Sequence, residues 1–271
     1  MITETSPNGA TAGNNARLGP ELAAHQRPDK VRAAWQLVNS VGGYLLAWVL
    51  MFFTVDYSWW LTVPLAVLAA GLLVRVFIIM HDCAHGSFLA SRRVNDAVGV
   101  ACGALAWTPY FRWRWEHARH HATSGNLDHR GTGDIWTMTV EEYLAAPWAR
   151  RLGYRLVRNP FVLLLVVPFW LSVLAYRIPQ PKDGPMAVAS VMITNLGLAA
   201  IVTTAALTVG WQTYLLVQVP VTLLAWSLGV WLFYVQHQYE GAYWARGEER
   251  DPLDAALKGS SYYKLPKVLQ W

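Results

Sequence analysis

Four blocks of the chain are apolar at nearly every position and almost free of charge. They cover residues 38–55, 59–80, 186–209 and 211–235, and Arg75 is the one charged side chain inside them. A helix needs about 20 apolar residues to cross the hydrocarbon of a bilayer. Each block therefore predicts a membrane-crossing helix. Short polar breaks at 56–58 and near Gly210 pair the four helices into two hairpins. Two shorter apolar blocks, 97–109 and 161–176, are too short to cross and predict interfacial or re-entrant segments. Residues 1–30 are polar and rich in Gly, Asn and Thr, and predict a disordered tail ahead of one membrane domain over 31–271.

Composition agrees with this pattern. Only 14% of the 271 residues are charged and 54% are hydrophobic, against about 25% charged in an average soluble domain. That excludes a disordered chain and argues against a soluble enzyme of this size. The 15 Trp are far above ordinary usage, and Trp gathers where lipid meets water. The net charge of +5 has a topological reading. If only the four long blocks cross, every Lys and Arg except Arg75 falls on one side. That side is cytoplasmic by the positive-inside bias, and Arg75 can snorkel towards it. Residues 110–115 alternate aromatics with Arg112 and Arg114. Next to an apolar block, they predict an interfacial belt rather than a nucleic-acid surface. Cys83 and Cys102 do not make a disulfide framework.

The candidate chemistry lies in histidine. His81 and His85 stand four residues apart directly after the second block. His117, His120 and His121 follow the first short block, and His237 follows the fourth long block. Spacings of three and four put side chains on one helix face. All three places lie on the same side of the membrane. Neutral imidazole is the commonest side-chain metal ligand, so the six predict a metal site. The zinc-protease pattern H-E-x-x-H is absent, because Asp82 follows His81. Asp82 and Glu116 flank the histidines and are candidates to orient an imidazole. His129 reads as a surface histidine.

The stretches HDCAH, HARHH and TPYFRWRWEHARHHATSGNLDHRGTGDIW resemble the membrane-bound fatty acid desaturases, and their delta-12 (omega-6) branch in particular. The resemblance covers roughly residues 31–271. It implies an all-α integral membrane fold, with four transmembrane helices in two hairpins, interfacial helices and a cytoplasmic cap bearing the histidine boxes. It implies two non-haem Fe ions held by His81, His85, His117, His120, His121 and His237. Asp134 and Trp136 match a stretch that could line the acyl channel or cap a loop. The implied reaction removes two hydrogens from adjacent methylenes of an acyl lipid or thioester and consumes dioxygen. Its electrons come from a ferredoxin or a b-type cytochrome with its reductase, and no G-x-G-x-x-G nucleotide fingerprint is present. The family carries a further H-x-x-H-H box beyond the fourth span, and no histidine follows His237. The sequence is therefore read as a fragment of a longer gene product, with a degenerate homologue as the other reading, and full coordination of both irons is not expected from it.

Readings from other classes remain open at this level. A related histidine-box hydroxylase or ketolase would insert oxygen instead of removing hydrogen. A non-catalytic metal-binding remnant would do neither. A transporter would place its ligands near the bilayer midplane rather than at one face.

Overall fold

The computed structural model describes residues 27–131 and 133–270. The expected tail, 1–30, falls almost wholly outside them. The described residues are helical with no β-strand, apart from one isolated bridge between Asn126 and Ala245. The protein is an all-α integral membrane protein.

Four helices are long and apolar enough to span: α1 (Lys30–Thr54), α2 (Trp59–His85), α8 (Pro185–Thr208) and α9 (Trp211–His237). Three of them, α1, α2 and α9, reach further than their apolar blocks. Asp29 caps α1 by accepting from the Val31 and Arg32 amides, which starts the helix at Lys30. Helix α2 continues past residue 80, so His81 and His85 sit on its last turn. It stops at Gly86, whose φ of 73° lies in the left-handed region that favours glycine. Helix α9 likewise runs on, making His237 its last residue.

Helix α2 packs against α1, α9 and the short helix after it. Within lipid, helices gain little from hydrophobic burial and rely on close packing and a few polar contacts. The core matches: Ala47, Ala69 and Ala70 are buried between the helices, while Leu46, Phe53, Trp60 and Leu196 face outward. Arg75 does not reach for the headgroups. Its Nε donates to Ser40 Oγ and its Nη2 to Asn39 Oδ1, both at 3.1 Å. Those two residues lie in a π-helical turn, Val38–Gly42, within α1. A charge at this depth is cheaper to pair with a neighbouring helix than to leave in lipid.

The first short block forms the re-entrant hairpin α3 (Arg92–Leu105) and α4 (Tyr110–Thr123). Ala104 packs on Gly197, twelve residues into α8, or about 18 Å at 1.5 Å per residue. The hairpin tip therefore reaches the middle of the bundle. Two glycines one turn apart allow its arms to close. A Cβ on Gly99 would stand 2.2 Å from the Tyr110 ring, and one on Gly103 would stand 2.6 Å from the Thr108 carbonyl. Helix α4 then returns towards the end of α2, its Phe111 amide donating to Ser190 Oγ at 3.0 Å. The short helix α5 (Val140–Ala145) follows. The second short block becomes α7 (Val162–Arg177), turned by 66° from the helix before it, α6 (Trp148–Val157). Ser227 of α9 donates to the Leu164 carbonyl, tying α7 to the bundle.

Segments after α4 and after α9 knit into a cap over the histidine end. Leu127 N donates to Ala245 O and Ala245 N to Gly125 O, each at 2.9 Å. Arg246 bridges Asp128 at 2.8 Å and Glu142 at 2.9 Å. Helix α10 (Pro252–Lys258), capped by Asp251, closes the cap, with Ser261 N returning to Gln236 O at 2.8 Å.

Candidate metal centre

The last turns of α2 and α4 run side by side, and Trp113 fixes their register. Its indole meets Phe77 edge-on at 5.3 Å and stacks on His117 at 4.3 Å with 16° between the planes. Trp113 was expected in an interfacial belt. Being four residues before His117, it instead forms the floor under that imidazole, whereas Trp115 remains exposed.

His81, His85, His117 and His121 bring one ligand atom each to within 4.8 Å of one another. His85 Nε2 lies 3.3 Å from His81 Nε2 and 3.0 Å from His117 Nε2, and His121 Nε2 lies 3.0 Å from His117 Nε2. A neutral imidazole carries one N–H, so a packed ring of nitrogens cannot be satisfied by mutual hydrogen bonds alone. A shared cation at about 2 Å from each would satisfy it. His117 is pushed down to about 2 and His121 to about 4, by burial first and by the neighbouring imidazoles second. Both are thus neutral near pH 7, the form that offers a lone pair. His81 Nδ1 lies 3.0 Å from Asp82 Oδ1, which leaves Nε2 for the cluster.

His120 and His237 form a second group. Their rings are 4.9 Å apart. His120 Nδ1 sits 2.6 Å from Asp134 Oδ1, and both side chains are buried. His237 Nδ1 donates to Gly259 O at 3.1 Å. Both contacts turn Nε2 towards the same small cavity, which Asp134 and Phe233 also line. The structure thus divides the six expected histidines into four and two.

Four expectations change. Asp134, read as a channel residue, faces His120, and its second oxygen accepts from the Gly131 amide at 3.1 Å. Trp136 lies away from the histidines. Its ring meets Tyr154 edge-on at 5.5 Å and its carbonyl accepts from Arg158, so it holds α6 to the cap. Glu116 does not touch an imidazole in this structure. It accepts from Arg112 Nε at 3.3 Å, and Arg112, 2% exposed, also reaches Asp183 at 3.7 Å and the carbonyls of Ala175 and Ile178 at 3.0 Å. Arg112 was expected near lipid headgroups. A buried guanidinium needs polar partners: here Glu116 accepts from Nε, the two carbonyls accept from Nη1, and Asp183 adds a second opposite charge. His129 is exposed, as expected, and Cys83 is a buried thiol.

Sequence comparison carries the same message. The chain is 42% identical over 260 residues to a fatty acid desaturase of Bacillus subtilis, covering 96% of this chain and 74% of that one. It is 27% identical over 259 residues to a chloroplastic omega-6 fatty acid desaturase of Glycine max, covering 89% of this chain and 56% of that one. It is 32% identical over 114 residues to an sn-1 acyl-lipid omega-3 desaturase (ferredoxin) of Nostoc, covering 41% of this chain and 30% of that one. Residues 57–271 match the fatty acid desaturase family, and the chain belongs to that family.

Proposed function

We propose that the chain is a dioxygen-dependent acyl desaturase with a histidine-ligated non-haem di-iron centre. It introduces a cis double bond into the acyl chain of a lipid or thioester, at the delta-12 (omega-6) position, as the name of the Glycine max relative suggests. The observation that carries this reading is the convergence of four Nε2 atoms from two helices at one end of a membrane bundle. An all-imidazole donor set suits a redox-active first-row metal and lacks the oxygens that Mg²⁺ or Ca²⁺ would want. His81, His85, His117 and His121 would hold one iron. His120 and His237 would contribute to the other, which needs further ligands for a full shell. Bound iron supplies the dioxygen chemistry that an unactivated C–H bond requires.

The surrounding residues do the positioning. Asp82, Asp134 and the Gly259 carbonyl fix imidazole tautomers, so each ring presents Nε2. Trp113 stacks on His117 and Phe233 packs on His237, giving each group one apolar wall. The basic residues at the histidine end support a cytoplasmic orientation for it, where a ferredoxin or b-type cytochrome can deliver electrons. Ferredoxin appears in the name of the Nostoc relative.

Expression of the gene in a host, followed by mass analysis of its fatty acids, tests the reading. Loss of two hydrogens from a host acyl chain, abolished by His117→Ala, is the expected result. Gain of an oxygen atom would replace desaturation by hydroxylation.

A further inference from the structure

At the end of the bundle remote from the histidines lies a cavity of about 380 Å³, within the range of small-ligand sites. Helices α1 and α8 face each other across it, and α9 closes the back. Its floor is the tip of the α3–α4 hairpin, where Trp107 follows the last turn of α3 with φ of 61°. A Trp holds this left-handed conformation only when its surroundings fix it. Here its carbonyl accepts from Arg177 Nη2 and its ring meets Trp226 edge-on at 5.6 Å. That aromatic pair stands between the cavity and the histidine end of α9.

The wall is not uniformly apolar. Gln218 is 4% exposed and Tyr214 is 3% exposed, yet both line the cavity. Trp48 Nε1, a donor only, gives its hydrogen to Gln218 Oε1 at 2.6 Å, and the Tyr44 hydroxyl approaches the same oxygen at 3.4 Å. Those donors fix the amide with oxygen towards α1. Its Nε2 then has no acceptor among the described residues, and neither has the Tyr214 hydroxyl. Two donors without partners, in the hydrocarbon region, ask for a ligand that brings an oxygen acceptor.

The geometry points to a second lipid site: the cavity takes one acyl chain of a glycerolipid from the leaflet remote from the histidines, its ester carbonyl held by Gln218 and Tyr214. Depth supports the assignment. Tyr214 and Gln218 lie on the first two turns of α9, within about 11 Å of its start at 1.5 Å per residue. A carbonyl entering from the near interface meets them first, and the chain below it runs down to Trp107. This site is separate from the histidines and does not depend on what they catalyse.

The full chain, reconstituted in phosphatidylglycerol–phosphatidylcholine vesicles, is exposed to a trace of phosphatidylglycerol carrying a photoreactive diazirine on one acyl chain. Peptide mapping then reads the labelled sites. The expected labels concentrate on residues 44–48, 105–107 and 200–208. Thr204→Trp, which fills the cavity, removes these labels and leaves those at the outward-facing Leu196 and Trp60 intact. Tyr214→Phe, which keeps the ring, weakens them about three- to tenfold, as loss of one hydrogen bond predicts. Labelling spread evenly over the lipid-facing surface, or unchanged in both variants, overturns the proposal. So does labelling by a diazirine free fatty acid that unlabelled phosphatidylglycerol cannot displace. None of these outcomes depends on iron or on desaturation.

Discussion

His120 Nδ1 and Asp134 Oδ1 lie 2.6 Å apart across fourteen residues of chain, with both side chains buried. This contact decides which nitrogen of His120 can bind a metal. With Nδ1 committed to the carboxylate, Nε2 faces His237, whose own Nδ1 is committed to the Gly259 carbonyl. Asp134→Asn keeps the shape and loses the charge that holds the tautomer. The expected result is a drop of about 10- to 100-fold in the weaker step of an anaerobic Fe²⁺ or Co²⁺ titration. The tighter step, assigned to the other four histidines, should change little.

Arg112 is a structural centre for the same end of the bundle. It serves Glu116, Asp183 and the carbonyls of Ala175 and Ile178 at the end of α7, while its guanidinium carbon sits 5.4 Å over the Tyr176 ring. Arg112→Met strands two carboxylates where little water reaches. Breaking one side of a buried pair costs about 3–5 kcal/mol. Thermal unfolding in detergent should show a large loss of stability. Arg112→Lys, which keeps the charge but not the fork of donors, should recover only part of it.

Glu142 gives the cap a pH dependence. Hydrogen bonds from Arg130 and from the Thr139 amide, with Arg246 adding to them, lower it from 4.5 to about 2. A carboxylate depressed on folding contributes stability above its unfolded value and loses it as pH falls towards the folded one. Cap stability should therefore fall between pH 4.5 and about 2. Hydrogen exchange of residues 126–130 and 245–249 measures this. Asp128, lowered by the Gly247 amide and Arg246, belongs to the same network, so Glu142→Gln should remove part of the pH dependence in that window and lower protection at neutral pH.

Gly99 tests the re-entrant hairpin. A side chain there overlaps the Tyr110 ring, whose hydroxyl donates to Asp96 at 3.0 Å. Gly99→Val should prise α3 from α4, at a cost of about 1–3 kcal/mol. Cys102 is 2% exposed on α3. Maleimide should leave it unlabelled in the native protein and modify it in the variant.

The spans and histidine positions could be read from the sequence because each rests on a local rule. Bilayer thickness sets the length of an apolar block, and helix pitch puts His81 beside His85 and His117 beside His121. The division of six histidines into four and two could not be read that way. It depends on the angle at which α4 meets α2, set by Trp113, Gly99 and Gly103. Asp134 reaches His120 only through a loop turned by Gly131 and Gly133, both at positive φ. Arg112 and Arg75 look like surface or snorkelling cations in sequence, because partners such as Asp183 and Ser40 lie far along the chain. The cavity behind Trp107 leaves no local pattern at all, since four separate helices contribute to it.

We propose that His81, His85, His117 and His121 together hold an iron ion. X-ray absorption on the purified chain loaded anaerobically with one equivalent of Fe²⁺ tests it most directly. Imidazole nitrogen at about 2.1 Å should dominate the coordination. That signal should be lost in His81→Ala or His117→Ala and retained in His129→Ala. Iron held mainly by oxygen, or an unchanged spectrum when His117 is replaced, would contradict it.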